Sequence, residues 1–151
     1  MGNEMGCLKH SSASLRIRPI NSDDEFNPDQ ISRLMGIQPT HVVIKGAVDS
    51  KRSARLDREV ISQVSQWSFR TAKEAQGDLN NQVFELLSPL PKLPKIWDAI
   101  HQEFCVDIFC GLWLSGDNSG VALEPATLRL LADLSIPIDF DIYRDTDFDR
   151  I

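Results

Sequence analysis

A chain of 151 residues with 42% hydrophobic and 25% charged residues has the size and composition of a globular domain that can bury its own core. Its 16 Lys and Arg against 22 Asp and Glu give a net charge of −6, which argues against nucleic-acid binding driven by phosphate neutralisation. The composition also excludes a fibrous or disordered chain, and no apolar run reaches the roughly 18 to 20 residues that a membrane-spanning helix needs.

The first half of the sequence contains three strand patterns. Leu15 and Ile17 alternate with Arg16 and Arg18, which predicts a short strand that ends at Pro19. A capping residue followed by proline predicts a helix after it. In chain order we expect a strand at 14–18, a helix at 28–35, a strand at 41–45, an insertion with one short helix at 47–66, and a strand at 67–71.

The second half begins with two helical patterns that prolines separate. Cys105 to Ser115 then gives the longest strand signal, because every second residue from Val106 to Leu114 is apolar. The last strand pattern alternates apolar residues with aspartates and a tyrosine. In chain order we expect helices at 78–87 and 94–103, a strand at 105–115, a helix at 125–134 and a strand at 138–143.

This order of elements predicts a two-layer α+β domain. The insertion is left out here and the two helices separated by prolines are counted as one. The first six elements are then strand, helix, strand, strand, helix and strand, which match the split βαβ arrangement called ferredoxin-like, with a mainly antiparallel sheet of four to five strands and an appended C-terminal helix and strand. We expect the domain to span residues 14–144. Residues 1–13 are small, polar and aperiodic, which predicts a flexible tail, and residues 145–151 are expected to form an acidic tail.

The three cysteines show no pattern of a disulfide framework or a zinc site. Cys7, Cys105 and Cys110 are odd in number and lack the spacing of paired metal ligands. We therefore expect a reducing, cytoplasmic location and no cofactor or bound metal. Cys105 and Cys110 lie five positions apart on one predicted strand, so their side chains should point to opposite faces, with Cys110 in the core.

Several short stretches of the sequence follow one another in a characteristic order: Leu15-Arg16-Ile17, Gly36-Ile37-Gln38-Pro39-Thr40, Lys45-Gly46, Trp67 and Ile138-Asp139-Phe140-Asp141-Ile142-Tyr143. On these stretches, residues 14–143 resemble the family known as domain of unknown function 4279, and 47–66 looks like an insertion within it. The resemblance supports one domain of this fold class and implies no catalytic residue.

One face of the predicted sheet is expected to be open. The first and last strands alternate apolar with charged residues, whereas a sheet covered on both faces has continuous apolar strands. Aromatic residues beside charges are typical of protein interfaces. The surface that we expect to bind a partner is formed by Arg16, Arg18, Asp107, Phe109, Trp113, Asp139, Asp141 and Tyr143.

Asp139 and Asp141 have two further interpretations. As paired carboxylates on one face of a strand they could bind a metal in a small hydrolase, the alternative function. They could instead form a cross-strand charge ladder with Arg16 and Arg18, which the sequence favours because no histidine or third carboxylate accompanies them. A separate alternative places the insertion's helices over the open face, with Trp113 in the core.

The sequence therefore favours a non-catalytic protein-binding module over an enzyme. An inhibitor or immunity-type protein and a self-associating subunit both fit this expectation. The basic cluster of residues 51–58 is diluted by acidic neighbours, so we expect neither nucleic acid nor a membrane among the partners.

Overall fold

The computed structural model describes residues 10–71, 78–114 and 120–144. The strands are β1 (His10–Pro19), β2 (His41–Val43), β3 (Gln66–Arg70), β4 (Phe104–Leu114) and β5 (Ile138–Arg144). The helices are α1 (Pro28–Met35), α2 (Ser50–Leu56), α3 (Leu79–Leu87), α4 (Pro94–Glu103) and α5 (Pro125–Asp133). This content confirms the predicted α+β class. Within the described residues, no helix is both long enough and apolar enough to cross a bilayer.

The strands form one mixed sheet in the order β2-β3-β1-β4-β5. β2 and β3 are antiparallel, with Val42 opposite Trp67, whereas β4 and β5 are parallel, with Cys110 opposite Phe140. Parallel neighbours need a crossover connection, and α5 lies between β4 and β5 in the chain. The prediction of a mainly antiparallel sheet is therefore only partly confirmed.

β1 begins at His10, earlier than the predicted start at Ser14. Its side chains alternate in burial from Ser11 onward, but the first buried positions, Ser11 and Ala13, are polar or small. The Ser11 hydroxyl donates to Gln82 Oε1 at 2.6 Å, and Gln82 Nε2 donates to the Ser11 carbonyl at 2.8 Å. Hydrogen bonds to α3 thus compensate the burial of a polar strand residue that the apolar pattern could not identify.

The chain divides into two compact units. The described residues of the first are 10–15, 70–71, 78–89, 107–114 and 120–144, and they include α3, α5, β5 and most of β4. Asn80 of α3 binds the start of α5: its Nδ2 donates to the Ala122 carbonyl at 2.8 Å, and its Oδ1 accepts from the Glu124 N–H at 2.9 Å and the Thr127 hydroxyl at 2.7 Å. These bonds serve the N-terminus of a helix whose N-cap residue, Glu124, makes no side-chain capping bond.

The second unit comprises Arg16–Phe69 and Leu90–Val106. Its α1 begins as the sequence predicts: Asn27 Oδ1 accepts from the Asp29 N–H at 3.0 Å, and Pro28 takes the first helical position. The helix ends at Gly36, whose φ of 69° is the left-handed conformation that favours glycine. The local signals of this helix therefore agree with its structure.

The predicted insertion contains the predicted short helix, α2. Its N-cap, Asp49, accepts from the Arg52 N–H at 3.1 Å, and an isolated antiparallel bridge joins Val48 to Ile61. None of the α2 residues is buried. A helix that buries no residue does not cover a sheet face, so the alternative in which α2 shields the open face has no support.

The expected domain limits stay a prediction. Much of the predicted N-terminal tail, residues 1–9, and all of the predicted C-terminal tail, residues 145–151, lie outside the described residues.

Candidate functional site

The register between β4 and β5 brings most of the predicted site residues together. Side chains of directly opposed residues lie on the same face of a sheet, and every second residue of a strand shares that face. Three opposed pairs follow one another: Phe109 with Asp139, Gly111 with Asp141, and Trp113 with Tyr143. We call these six residues the aromatic–acidic face.

The centre of this face is a pair of stacked rings. The ring centroids of Trp113 and Tyr143 are 5.1 Å apart with an interplanar angle of 17°. Trp113 also lies against Gly111, because a Cβ atom built on that glycine would be 2.8 Å from Trp113 Cη2 and 2.9 Å from Ser12 Oγ. The indole thus occupies space that any side chain at position 111 would take. Both rings are half-buried, so each leaves part of its surface to solvent.

The Tyr143 hydroxyl donates a hydrogen bond to Asp141 Oδ2. This bond, together with burial and the negative charge of Asp141, raises the pKa of the Tyr143 phenol above its usual value. Tyr143 therefore stays protonated at neutral pH and acts as a hydrogen-bond donor. Asp141 is half-buried, whereas Asp139 is exposed. The two carboxylates of β5 thus lie in different surroundings despite sharing a face.

Asp107 and Cys110 are two further residues of β4 with unusual surroundings. Asp107 is only 7% exposed, which is unusual for an aspartate. The Cys110 thiol is fully buried, and burial, followed by the charges of Asp107 and Asp139, raises its pKa to about 12. Cys105 is exposed. The prediction that these two cysteines point to opposite faces, with Cys110 in the core, is confirmed.

We expect Cys105 to react with Ellman's reagent in the folded protein and Cys110 to stay protected. Thiolate is the reactive form, and below a pKa of about 12 the Cys110 thiol keeps its proton. In a Cys7→Ser background, Cys105→Ser should abolish rapid labelling and Cys110→Ser should leave it unchanged. Rapid labelling of Cys110 in the folded state would contradict its burial.

The same pKa difference affects stability at alkaline pH. Folding raises the pKa of Cys110 from 9.0 to about 12, so the folded state holds this proton more tightly than the unfolded state. The contribution is complete below pH 9 and is lost as the pH rises toward 12. Urea unfolding of Cys110→Ser should therefore show a weaker loss of stability across this pH range than the unmodified chain.

The two predicted arginines lie in the second unit. Arg16 and Arg18 occupy alternate, half-buried positions of β1. Arg18 lines a cavity of about 310 Å³ together with Ser65 and the exposed Cys105. β4 lies between β1 and β5 in the sheet, so the predicted charge ladder would join strands that are not direct neighbours, and it stays a prediction.

The described residues provide no further metal ligand beside Asp139 and Asp141. In residues 10–71, 78–114 and 120–144, no group of three His, Cys, Asp or Glu side chains is placed to hold a metal ion. Asp141 also accepts a hydrogen bond from the Tyr143 hydroxyl, so one of its oxygens is already engaged.

Sequence reasoning missed two residues of the site. Gly111 is not among the residues expected to form the surface, although a glycine between apolar strand residues signals a close approach by another group. Ser12 fell within the predicted flexible tail, and no sequence signal marked it. Both positions matter because a Cβ atom at Gly111 would meet both the Trp113 ring and Ser12 Oγ.

Searches of curated proteins and of solved structures find no match to this chain. A family model does match, over residues 9–145, which is nearly the whole chain. This match agrees with the resemblance carried by the strand and turn motifs of residues 14–143. The chain therefore belongs to the family described as domain of unknown function (DUF4279).

Proposed function

We propose that this chain is a non-catalytic protein-binding module whose contact surface is the aromatic–acidic face. The observation that carries the proposal is the stacked, half-buried Trp113–Tyr143 pair beside the exposed Asp139. Tryptophan and tyrosine supply much of the binding energy at protein interfaces because they offer large contact areas with few rotatable bonds. Here the stack and the Asp141 hydrogen bond hold both rings in place before a partner arrives.

The charge of the face favours a partner with basic side chains. Asp139 and Asp141 lie on the same side of β5, and the chain as a whole carries −6. Two copies that met through this face would bring like charges together, which costs binding free energy. Of the two roles expected from the sequence, an inhibitor or immunity-type protein with a different partner is therefore better supported than self-association.

The geometry gives catalysis less support than binding. The Tyr143 hydroxyl is engaged by Asp141 rather than presented to a substrate, and the described residues offer no third ligand for a metal beside the two carboxylates. No observation on the described residues favours the hydrolase alternative.

We also infer two finer features of the chain. The strand order β2-β3-β1-β4 supports a ferredoxin-like arrangement of the first four strands, with α5 and β5 appended. The unpaired thiols of Cys105 and Cys110 are compatible with a reducing compartment, which supports a cytoplasmic location.

Site-specific photo-crosslinking tests the proposed surface. A benzophenone amino acid replaces exposed Asp139 in one variant and exposed Asp98 of α4 in a matched control. In cells of the source organism, we expect a discrete protein adduct from position 139 and none from position 98. Equal labelling at both positions, or no adduct at 139, would overturn the proposal. So would Mn²⁺ binding, measured by calorimetry, that Asp139→Asn abolishes.

A further inference from the structure

We propose that the partner binds by adding a strand to the outer edge of β5 in the described sheet, as an extended segment that alternates basic and apolar residues. This inference rests on the proposed function and specifies its partner and binding mode. It depends on three properties of β5: its place in the sheet, the direction of its backbone groups and the exposure of its side chains.

β5 is an outer strand of the described sheet, with β4 on one side only. The opposite outer strand, β2, has three residues, whereas β5 has seven. Native proteins protect long edges with lysines, prolines or bulges, because exposed N–H and C=O groups pair readily with another strand. β5 contains neither lysine nor proline between Ile138 and Arg144. Its length and composition thus leave it suited to pairing.

The register identifies which backbone groups of β5 point outward. The Ile108 N–H donates to the Pro137 carbonyl at 2.9 Å, and Ile108 lies opposite Ile138. In a parallel pair, the residue opposite such a donor directs its own N–H and C=O away from the neighbouring strand, and the pattern repeats every second residue. The backbone groups of Phe140 and Ile142 therefore point to the outer edge, and those of Asp139 and Asp141 point to β4.

The side chains at these positions are unusually exposed for apolar residues. Phe140 is 38% exposed and Ile142 is 60% exposed. They lie on the face of β5 opposite Asp139 and Asp141 because strand side chains alternate. An added strand would cover the apolar pair on one face and meet the carboxylates on the other, next to the Trp113–Tyr143 stack.

This arrangement selects the chemistry of the added strand. Cross-strand neighbours on one face interact directly, so residues beside Asp139 and Asp141 should be lysine or arginine, and residues beside Phe140 and Ile142 should be aliphatic or aromatic. A second copy of β5 fits poorly: an antiparallel pair centred on Asp141 places that carboxylate opposite its own copy, and like charges directly opposite are destabilising.

Peptide binding followed by NMR tests the mode. The probe is a capped peptide of the length of β5 that alternates lysine and valine, and its counterpart alternates glutamate and valine. We expect the lysine peptide to shift the amide signals of Phe140 and Ile142 and to bind at least about tenfold more tightly than the glutamate peptide. The charge reversal Asp139→Lys should reverse this preference. No shift at these two amides, or equal affinity for both peptides, would overturn the proposal.

A backbone variant separates strand addition from other contacts on the same surface. Ile142→Pro removes an outward N–H that β4 does not use, and Ile142→Val keeps it with a similar β-branched side chain. The affinity for the lysine peptide should fall by about tenfold or more in the proline variant and stay unchanged in the valine variant. Circular dichroism checks that the proline variant is folded, and if it is not, the Asp139→Lys result decides.

The crosslinking experiment distinguishes the two proposals. If position 139 still gives a protein adduct in Ile142→Pro at an unchanged level, the aromatic–acidic face binds a partner without strand addition. If the adduct disappears with the proline and remains with the valine, both proposals stand. If sedimentation shows a dimer that Ile142→Pro abolishes, the occupant of the edge is a second copy of the chain. This result would overturn the proposal that the partner is a basic segment.

Discussion

Replacing Trp67 by alanine is expected to lower the free energy of unfolding by about 3–5 kcal/mol. The Trp67 side chain is 0% exposed, so its removal leaves a cavity in the core of the second unit. The indole also carries a specific bond: its Nε1 donates to Ser32 Oγ of α1 at 3.0 Å, and the Ser32 hydroxyl donates in turn to the Pro28 carbonyl at 3.1 Å. The residue thus combines packing with a connection between β3 and α1.

Two further variants divide this loss into its parts. Trp67→Phe keeps an aromatic ring and removes the donor, and Ser32→Ala keeps the indole and removes its acceptor at a cost of about 1–3 kcal/mol. Phe84→Ala is the matched control, because this aromatic residue of α3 is 40% exposed and should cost much less. Urea unfolding followed by far-ultraviolet circular dichroism measures all four. A loss for Trp67→Ala no larger than that for Phe84→Ala would contradict the assigned role.

Elements with strong local signals could be predicted from the sequence. The cap at Asn27, the proline after it and the glycine at 36 all act within one segment, and α1 has the predicted limits. The prediction of β4, where apolar residues alternate along the strand, is correct to within one residue at each end. Such signals depend on neighbours in the chain and not on the rest of the fold.

Features that depend on distant residues could not be predicted in this way. The buried Ser11 hydroxyl finds its hydrogen-bond acceptor in Gln82, and the two positions are far apart in the chain. The stack of Trp113 on Tyr143 follows from the parallel register of β4 and β5, which the sequence does not specify.

β5 gave the least expected result. Asp141 and Tyr143 are expected on the open face of the sheet, yet both are half-buried, while Phe140 and Ile142 on the opposite face of β5 are exposed. The alternation correctly separates the two faces of the strand. Which face is covered depends on the position of the strand in the sheet, and β5 is at the edge.

Replacing Gly111 by alanine is expected to destabilise the protein by about 1–3 kcal/mol, although this substitution in a strand usually stabilises by about 0.5–1 kcal/mol. The sign differs because the new Cβ would lie 2.8 Å from Trp113 Cη2 and 2.9 Å from both Trp113 Cζ3 and Ser12 Oγ. Carbon atoms do not approach so closely, so the indole must move. The Tyr143 ring stacked beside it limits that movement.

Gly120→Ala is the matched control, because a Cβ built on Gly120 has no atom within 4 Å. It should change the free energy of unfolding by no more than about 0.5 kcal/mol. Near-ultraviolet circular dichroism should report the altered Trp113–Tyr143 stack in Gly111→Ala and not in Gly120→Ala. In a double-mutant cycle, Trp113→Ala should cost less in the Gly111→Ala background than alone, since the overlap no longer exists. Additive losses, or a gain of stability from Gly111→Ala, would show that Trp113 does not lie over this glycine.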